Sequence, residues 1–256
     1  MAKNYSVIIA AAGEGKRINS PIPKPYILIK KYPIIIRTLK HFDRTKEIER
    51  IIIVTHKNWV NYCINLLKKY LPENKTGDKK YYVIKGGKER QDSVNEGLKL
   101  VNTEFVFVHD AVRPFIDSSL ILNLIKSSKK YDAVIPVVPS INTLKEIKSG
   151  FVCKHLSRDK VYEVQTPQLF RTGILKSAYK KAYLDKFYAT DDSALVERLG
   201  VKVKTIKGIK NNIKITNPQD LLYAGAILNA ELQTTERAFA TDNKHACLPV
   251  GRDFHG

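Results

Sequence analysis

The 256-residue chain has no apolar run near the ~20 residues that a membrane-spanning helix requires. The short run from Val7 to Ala12 leads straight into charged residues, which excludes a signal peptide and leaves a buried strand. A cytoplasmic protein is expected. Cysteine is scarce too: Cys63, Cys153 and Cys247 lie far apart and form no CxxC. His155 and His245 each sit two residues from a cysteine, but neither pair belongs to a longer ligand cluster. A disulfide framework is therefore not expected, and the cysteines read as free thiols of a reducing compartment. Zinc-finger spacing, an RNP-like aromatic motif and a basic leucine zipper are all missing.

Acidic residues are few relative to basic ones. Lys+Arg 44 against Asp+Glu 25 gives a net charge of +19, which raises a nucleic-acid partner or an anionic substrate. The lysines are scattered in pairs, as at 30–31, 68–69, 79–80, 129–130 and 180–181. Dispersed charge of this kind ordinarily faces water, so the excess reads first as a solvated surface.

The 43% hydrophobic content is that of an ordinary globular chain, long enough to bury a real core. Its apolar residues alternate between short β-branched runs and longer helical patterns. Strands are expected near 6–11, 50–55, 81–84, 105–109 and 133–138, with helices near 33–42, 58–70, 91–100 and 118–130. This βαβαβαβαβ order predicts an α/β fold: a Rossmann-like mixed, mostly parallel sheet flanked by helices.

The rhythm fails between 140 and 162, where "NTLKEIKSGFVCKHLSR" alternates around Ser149-Gly150, a hairpin signal. A projecting β-arm at about 140–161, suited to dimerisation, is expected. A short run follows at 162–165, then helices near 172–183 and 191–199, and strands at 201–206 and 213–215. The last helix is opened by Asn217 as N-cap and Pro218 at its first position. Residues 1–232 form one domain in this reading, and the aperiodic 233–256 reads as a disordered tail.

The most informative stretch is "VIIAAAGEGKRINSPIPKPY", a strand that breaks into a glycine turn followed by Lys16, Arg17 and Lys24. Such a turn lies at the carboxyl edge of a parallel sheet, where ligands of open α/β folds bind. A Walker loop is excluded because Ala10 and Arg17 stand where it needs Gly and Ser/Thr, and a dinucleotide fingerprint because Ile18 replaces its third glycine. Gly-x-Gly alone is equally a tight turn without a ligand. Three cations attached to it, with Lys24 on a segment stiffened by Pro21, Pro23 and Pro25, point to a polyphosphate.

"AAAGEGKR" and "PKPY", together with "GGKERQDSV", "VHDAVRPF", "QTPQLF" and "NNIKITNPQDL", occur in that order over residues 5 to about 230. The set resembles the sugar-phosphate nucleotidyltransferase family, in particular the cytidylyltransferases acting on 2-C-methyl-D-erythritol 4-phosphate. The resemblance implies the nucleotidyltransferase fold. It also implies transfer of a cytidylyl group from CTP to that polyol phosphate in the non-mevalonate isoprenoid pathway, with Mg²⁺ held mainly by the CTP phosphates; no protein ligand is assigned to the metal.

By the same resemblance, Arg17 and Lys24 stabilise the transition state. Ala11, Ala12, Gly13, Gly86, Gly87, Lys88 and Ser93 cradle CTP, and Asp110, Arg113, Thr143, Arg158, Thr166 and Lys214 hold the polyol phosphate. The family supplies its equivalents of Thr143 and Arg158 from the neighbouring subunit, so a homodimer is implied. His109, Asp191 and Asp192 are given no catalytic role. Two positions depart from the family pattern: Lys88 stands where an acidic residue is common, and "PKPY" replaces "PKQ". The sister activity on ribitol 5-phosphate shares HD-x-VRPF and QTPQ and remains an alternative, as does a non-catalytic nucleic-acid binder on the same scaffold. The binding reading predicts salt-sensitive polynucleotide binding and indifference to neutral replacement of Arg17 or Lys24.

Overall fold

The computed structural model describes residues 5–13, 20–72 and 79–245. In chain order its first half runs β1 (Tyr5–Ala11), β2 (Leu28–Ile29), β3 (Tyr32–Pro33), α1 (Ile34–Asp43), β4 (Ile48–Thr55), α2 (Val60–Tyr70), β5 (Lys80–Lys85), α3 (Arg90–Leu98), β6 (Phe105–Asp110) and α4 (Ser118–Ser128). The second half continues with β7 (Ala133–Pro139), β8 (Leu144–Lys148), β9 (Phe151–Leu156), β10 (Tyr162–Val164), β11 (Gln168–Arg171), α5 (Thr172–Leu184), α6 (Asp192–Glu197), β12 (Lys204–Lys207) and α7 (Pro218–His245).

The main sheet has the order β10-β7-β11-β6-β1-β4-β5, with β12 parallel on the other side of β7. β5, β4, β1 and β6 are mutually parallel, the expected result of helical crossovers, while β11 enters antiparallel between β6 and β7. Strand β1 shows why this sheet forms. Val7 and Ile9 point to one face, against Ile35, Leu39 and Phe42 of α1 and Leu120 and Leu124 of α4. Ile8 points to the other face, against Val94 and Leu98 of α3 and Leu175 and Tyr179 of α5. All three are fully buried, so the strand reads as one continuous apolar run and both faces are covered by helices. Each such side chain contributes about 1.5–3 kcal/mol relative to exposure. A third cluster, Ile29, Ile34, Phe115, Ile215, Ala224 and Leu228, fastens α7 beside the β2–β3 hairpin.

Three differences from the sequence reading have physical reasons. First, β11 was not anticipated: four residues without alternation carry no period, yet Leu169 and Phe170 are fully buried in mid-sheet. Second, residues 213–215 join no ladder. Ile215 N–H donates to Val112 O at 3.0 Å, and this tie, not a strand, holds the segment extended. Third, the helix opened at Pro218 runs to His245, well into the stretch read as an unstructured tail. Its lack of an apolar stripe hid a run of adequate helix formers. Residues 246–256, and Cys247 with them, lie outside the described residues. Among those described, no helix is long and apolar enough to cross a membrane.

The arm is a separate two-stranded sheet of β8 and β9, with Ser149 and Gly150 both at positive φ between Lys148 and Phe151. That is the geometry a two-residue hairpin turn requires.

Candidate active site

The carboxyl ends of β1, β4, β5 and β6 open into one cleft of about 980 Å³. One wall is backbone: Ala10 and Ala11 end β1 and Ala12 and Gly13 continue it, while Gly86 and Gly87 continue β5. Gly86 N–H donates to Thr55 O at 2.7 Å, which carries the ladder one residue past the strand. Ser93, buried at the start of α3, closes the second turn, its Oγ accepting from Gly87 N at 3.2 Å and donating to Glu89 O at 3.0 Å. Glu89 and Asp92 form a reciprocal capping box that fixes the start of α3. Lys88 is exposed and lines the cleft between these tight features.

Neither glycine of that turn tolerates a side chain. A Cβ on Gly86 would lie 2.5 Å from Ala12 Cβ and 2.6 Å from Ser93 Oγ, and one on Gly87 2.4 Å from Asp92 Cβ. Gly86→Ala is therefore expected to push Ala12 and Ser93 away from the Gly86 backbone, at about 1–3 kcal/mol of stability. It should raise the KM for the nucleotide far more than that for the second substrate, as steady-state kinetics with each substrate varied would show. Equal KM values for mutant and wild type would remove the turn from nucleotide binding.

The opposite wall is ionic. Lys24, in a single 3₁₀ turn after Pro23, lines the cleft and donates from Nζ to Thr216 O at 3.1 Å. Asp110 ends β6 and is nearly buried, with Lys214 Nζ 2.9 Å and Arg113 Nε 3.6 Å from Oδ2, and Arg90 Nε 3.1 Å from Oδ1. Burial alone would raise the pKa of this carboxyl, but Arg90, Lys214 and Arg113 outweigh it and hold it well below the ordinary carboxylate range. Asp110 is thus charged at every working pH. Ile213 and Ile215 turn into the α7 cluster, and alternation along the extended segment leaves Lys214 on the cleft side.

Of the residues expected at the site, Ala11, Ala12, Gly13, Lys24, Gly86, Gly87, Lys88, Ser93, Asp110 and Lys214 all line this cleft. Arg113 stands behind Asp110, with Nη1 donating to Asn212 O at 2.8 Å. Thr166 is not a wall residue but a support: its Oγ1 accepts from Asp110 N at 3.2 Å and lies 2.9 Å from His109 Nδ1. Thr143 and Arg158 are exposed at the arm, away from this cleft's lining. Arg17 lies outside the described residues.

The sequence reading gave no role to Arg90 or His109. Arg90 lines the cleft and touches two carboxylates, Asp110 and Asp192. His109 is fully buried directly beneath the ionic wall. Its position next to Asp110 in "VHDAVRPF" was visible, but a side chain's depth is not.

A family model described as IspD, 2-C-methyl-D-erythritol 4-phosphate cytidylyltransferase, matches residues 5–230. The chain belongs to this family. A 2-C-methyl-D-erythritol 4-phosphate cytidylyltransferase of Syntrophus aciditrophicus is 40% identical over 235 residues, covering 90% of this chain and 98% of that protein. One from Clostridium novyi is 40% identical over 231 residues, covering 89% and 97%. Among solved structures, the 4-diphosphocytidyl-2C-methyl-D-erythritol synthase of Anaerococcus prevotii superposes with a TM-score of 0.78 at 34% identity, covering 89% of this chain and 99% of that one. For an IspD-family chain the cleft has an intelligible division. Its backbone wall suits a nucleotide, and its ionic wall suits a second, anionic substrate.

Proposed function

We infer that the protein transfers the cytidylyl group of CTP to 2-C-methyl-D-erythritol 4-phosphate, forming 4-diphosphocytidyl-2-C-methyl-D-erythritol and pyrophosphate in the non-mevalonate isoprenoid pathway. The observation that carries this reading is the meeting, in one cleft, of the Ala12-Gly13 and Gly86-Gly87 backbones with Lys24 and the Asp110–Lys214 pair. A phosphate monoester oxygen attacks the α-phosphorus of CTP, the bond to the bridging oxygen of the β-phosphate breaks, and that oxygen leaves with pyrophosphate. The nucleophile is already anionic, so no general base is required. The obstacle is the approach of two anions, and the residues answer it with positioning and positive charge.

In this reading Ala11, Ala12, Gly13, Gly86, Gly87, Lys88 and Ser93 hold CTP, with backbone N–H groups facing its polar edges. Lys24, and Arg17 with it, face the charge that builds on the α-phosphate. Asp110 accepts from polyol hydroxyls, while Arg113 and Lys214 take the substrate phosphate. In this reading the Mg²⁺ of the reaction would be held mainly by the triphosphate oxygens of CTP, where it would offset their negative charge.

The arm exposes Ile147, Phe151 and Val152, with Ile141 at its root, an apolar surface that a second copy would cover. Thr143 and Arg158 would then complete the partner's polyol site, in a cytoplasmic homodimer. The test is pyrophosphate release by the purified protein with Mg²⁺, each of the four nucleoside triphosphates, and either 2-C-methyl-D-erythritol 4-phosphate or ribitol 5-phosphate. Release with CTP and the methylerythritol substrate supports the reading. Release with ribitol phosphate alone moves it to the sister activity, and silence with every pair, together with salt-sensitive polynucleotide binding, replaces it by a binding role.

A further inference from the structure

We propose that Asp192 is a positioning residue for the polyol phosphate, acting through Arg90 on Asp110. Arg90 is the first residue of α3 and Asp192 the first of α6, and the two helices bring their starts together beside the end of β6. The Arg90 guanidinium forks between two carboxylates, with Nε 3.1 Å from Asp110 Oδ1 and Nη2 2.9 Å from Asp192 Oδ2. The second approach is an ion pair whose N–H is angled off the line, so Asp192 Oδ2 gains charge pairing without a hydrogen bond.

Asp192 itself is fixed. It is 1% exposed, and Tyr179 Oη donates to its Oδ1 at 2.5 Å. The start of α6 is clamped as well: Gln168 Nε2 donates to Asp191 Oδ2 at 2.9 Å, and Gln168 Oε1 accepts from Ser193 N at 3.2 Å.

The consequence concerns Asp110. Its Oδ2 faces Lys214 and Arg113, the two cations assigned to the substrate phosphate, and its Oδ1 is held only through Arg90 among the side chains described. When the phosphate draws Lys214 and Arg113 toward itself, Asp110 keeps its orientation only if Arg90 keeps its own. An arginine anchored at one end has few rotamers to lose; without Asp192 it regains them, and Asp110 loses a fixed partner. Asp192 is 1% exposed and is not among the residues lining the cleft, so its influence on the site runs through Arg90. This inference rests on the reading of Asp110 as the polyol contact.

The experiment is steady-state kinetics of Asp192→Asn, which keeps shape and removes charge, with each substrate varied in turn. Tyr179→Phe provides a milder variant that retains both carboxylates, and Asp110→Asn and the Asp192→Asn/Asp110→Asn double variant complete a cycle. The expected result for Asp192→Asn is a rise of about tenfold in KM for the polyol phosphate, in line with one charge-assisted contact, with KM for CTP within about twofold. Tyr179→Phe should move the same KM in the same direction by a smaller factor. The double variant should be no worse than Asp110→Asn alone, because the two residues act in one chain. Equal rises in both KM values, or fold losses that multiply in the double variant, would overturn the proposal and leave Asp192 as a tie between helices. If Asp110→Asn itself leaves the polyol KM unchanged, it is the assignment of Asp110 that fails, whatever Asp192 does.

Discussion

Replacing Lys24 by alanine is expected to lower kcat by about 10²–10³-fold, the order seen when one preorganised donor to developing charge is removed, roughly 2.7–4 kcal/mol. The reason is geometric. Lys24 sits in a 3₁₀ turn whose Tyr26 N–H donates to Pro23 O at 2.9 Å, and its Nζ is steadied by Thr216 O at 3.1 Å. That turn is anchored by the buried Tyr26, whose Oη lies 2.6 Å from Thr55 Oγ1 and whose ring stacks on Trp59 at 5.2 Å. The ammonium is thus delivered to the cleft by a rigid base. Because the charge it meets is largest in the transition state, the loss should fall on kcat more than on either KM.

The fold should survive, since Tyr26 and not Lys24 fills the core; an unchanged circular dichroism spectrum would confirm that. Single-turnover measurement of pyrophosphate release is the direct check, and a variant with wild-type kcat would remove Lys24 from the chemistry. In mixed dimers the same variant gives a second reading. If Arg158 serves the partner's site, exchanging Lys24→Ala with Arg158→Ala subunits should restore activity that neither has alone.

How much of this was legible in the sequence depends on whether a residue's role is local. The hairpin at Ser149-Gly150 was readable because its turn needs small residues at positive φ, and the register Lys148 to Phe151 follows from that turn. The start of α7 was readable because Asn217 Oδ1 accepts from Asp220 N at 2.9 Å, a cap spelled within four residues. The cleft's backbone wall was readable from its glycines. Arg90 was not: its meaning lies in carboxylates 20 and about 100 positions away, and "ERQDS" and "TDDSA" each look like an ordinary helix start.

In "QTPQLF" the sequence reading gives a role to Thr166 alone, as a polyol-phosphate contact, although each polar residue in it clamps a different part of the site. Gln165 Oε1 accepts from Ile209 N at 3.1 Å and its Nε2 donates to Ile209 O at 2.8 Å, fixing the loop that leads to Lys214. Thr166 supports Asp110, and Gln168 holds the start of α6. The segment Gln165 to Gln168, which leads into the short antiparallel β11, thus braces the ionic wall and the helix start beside it.

Acid should destabilise this protein earlier than carboxylate protonation explains, and His109 is the cause. Burial lowers its pKa to about 3 from 6.5, the nearby Asp110 charge notwithstanding. The hydrogen bonds agree with a neutral ring. Thr166 Oγ1 accepts from Asp110 N and so offers its own proton to His109 Nδ1 at 2.9 Å, which leaves Nε2–H to donate to Arg113 O at 3.1 Å. An added proton on Nδ1 would meet the Thr166 hydroxyl donor head-on, on a ring that is fully buried.

The sign follows from linkage. The unfolded chain protonates its histidine near pH 6.5 while the native state refuses the proton until about pH 3, so the unfolded state binds more protons throughout that window. Stability contributed by neutral His109 is complete above the unfolded value and falls as pH drops, by about 1.4 kcal/mol per pH unit. His41 shifts in the same direction through burial and adds to the slope. Asp110, held low, adds to the slope only once the pH falls into the ordinary carboxylate range, so the interval between about pH 6.5 and 5 isolates the histidines. Urea unfolding at half-unit steps across that interval measures the slope. In His109→Gln, which keeps one donor and one acceptor but cannot titrate, it should flatten by about 1.4 kcal/mol per unit. An undiminished slope would mean that His109 accepts a proton in the native state, and that the ring beneath the ionic wall carries charge of its own.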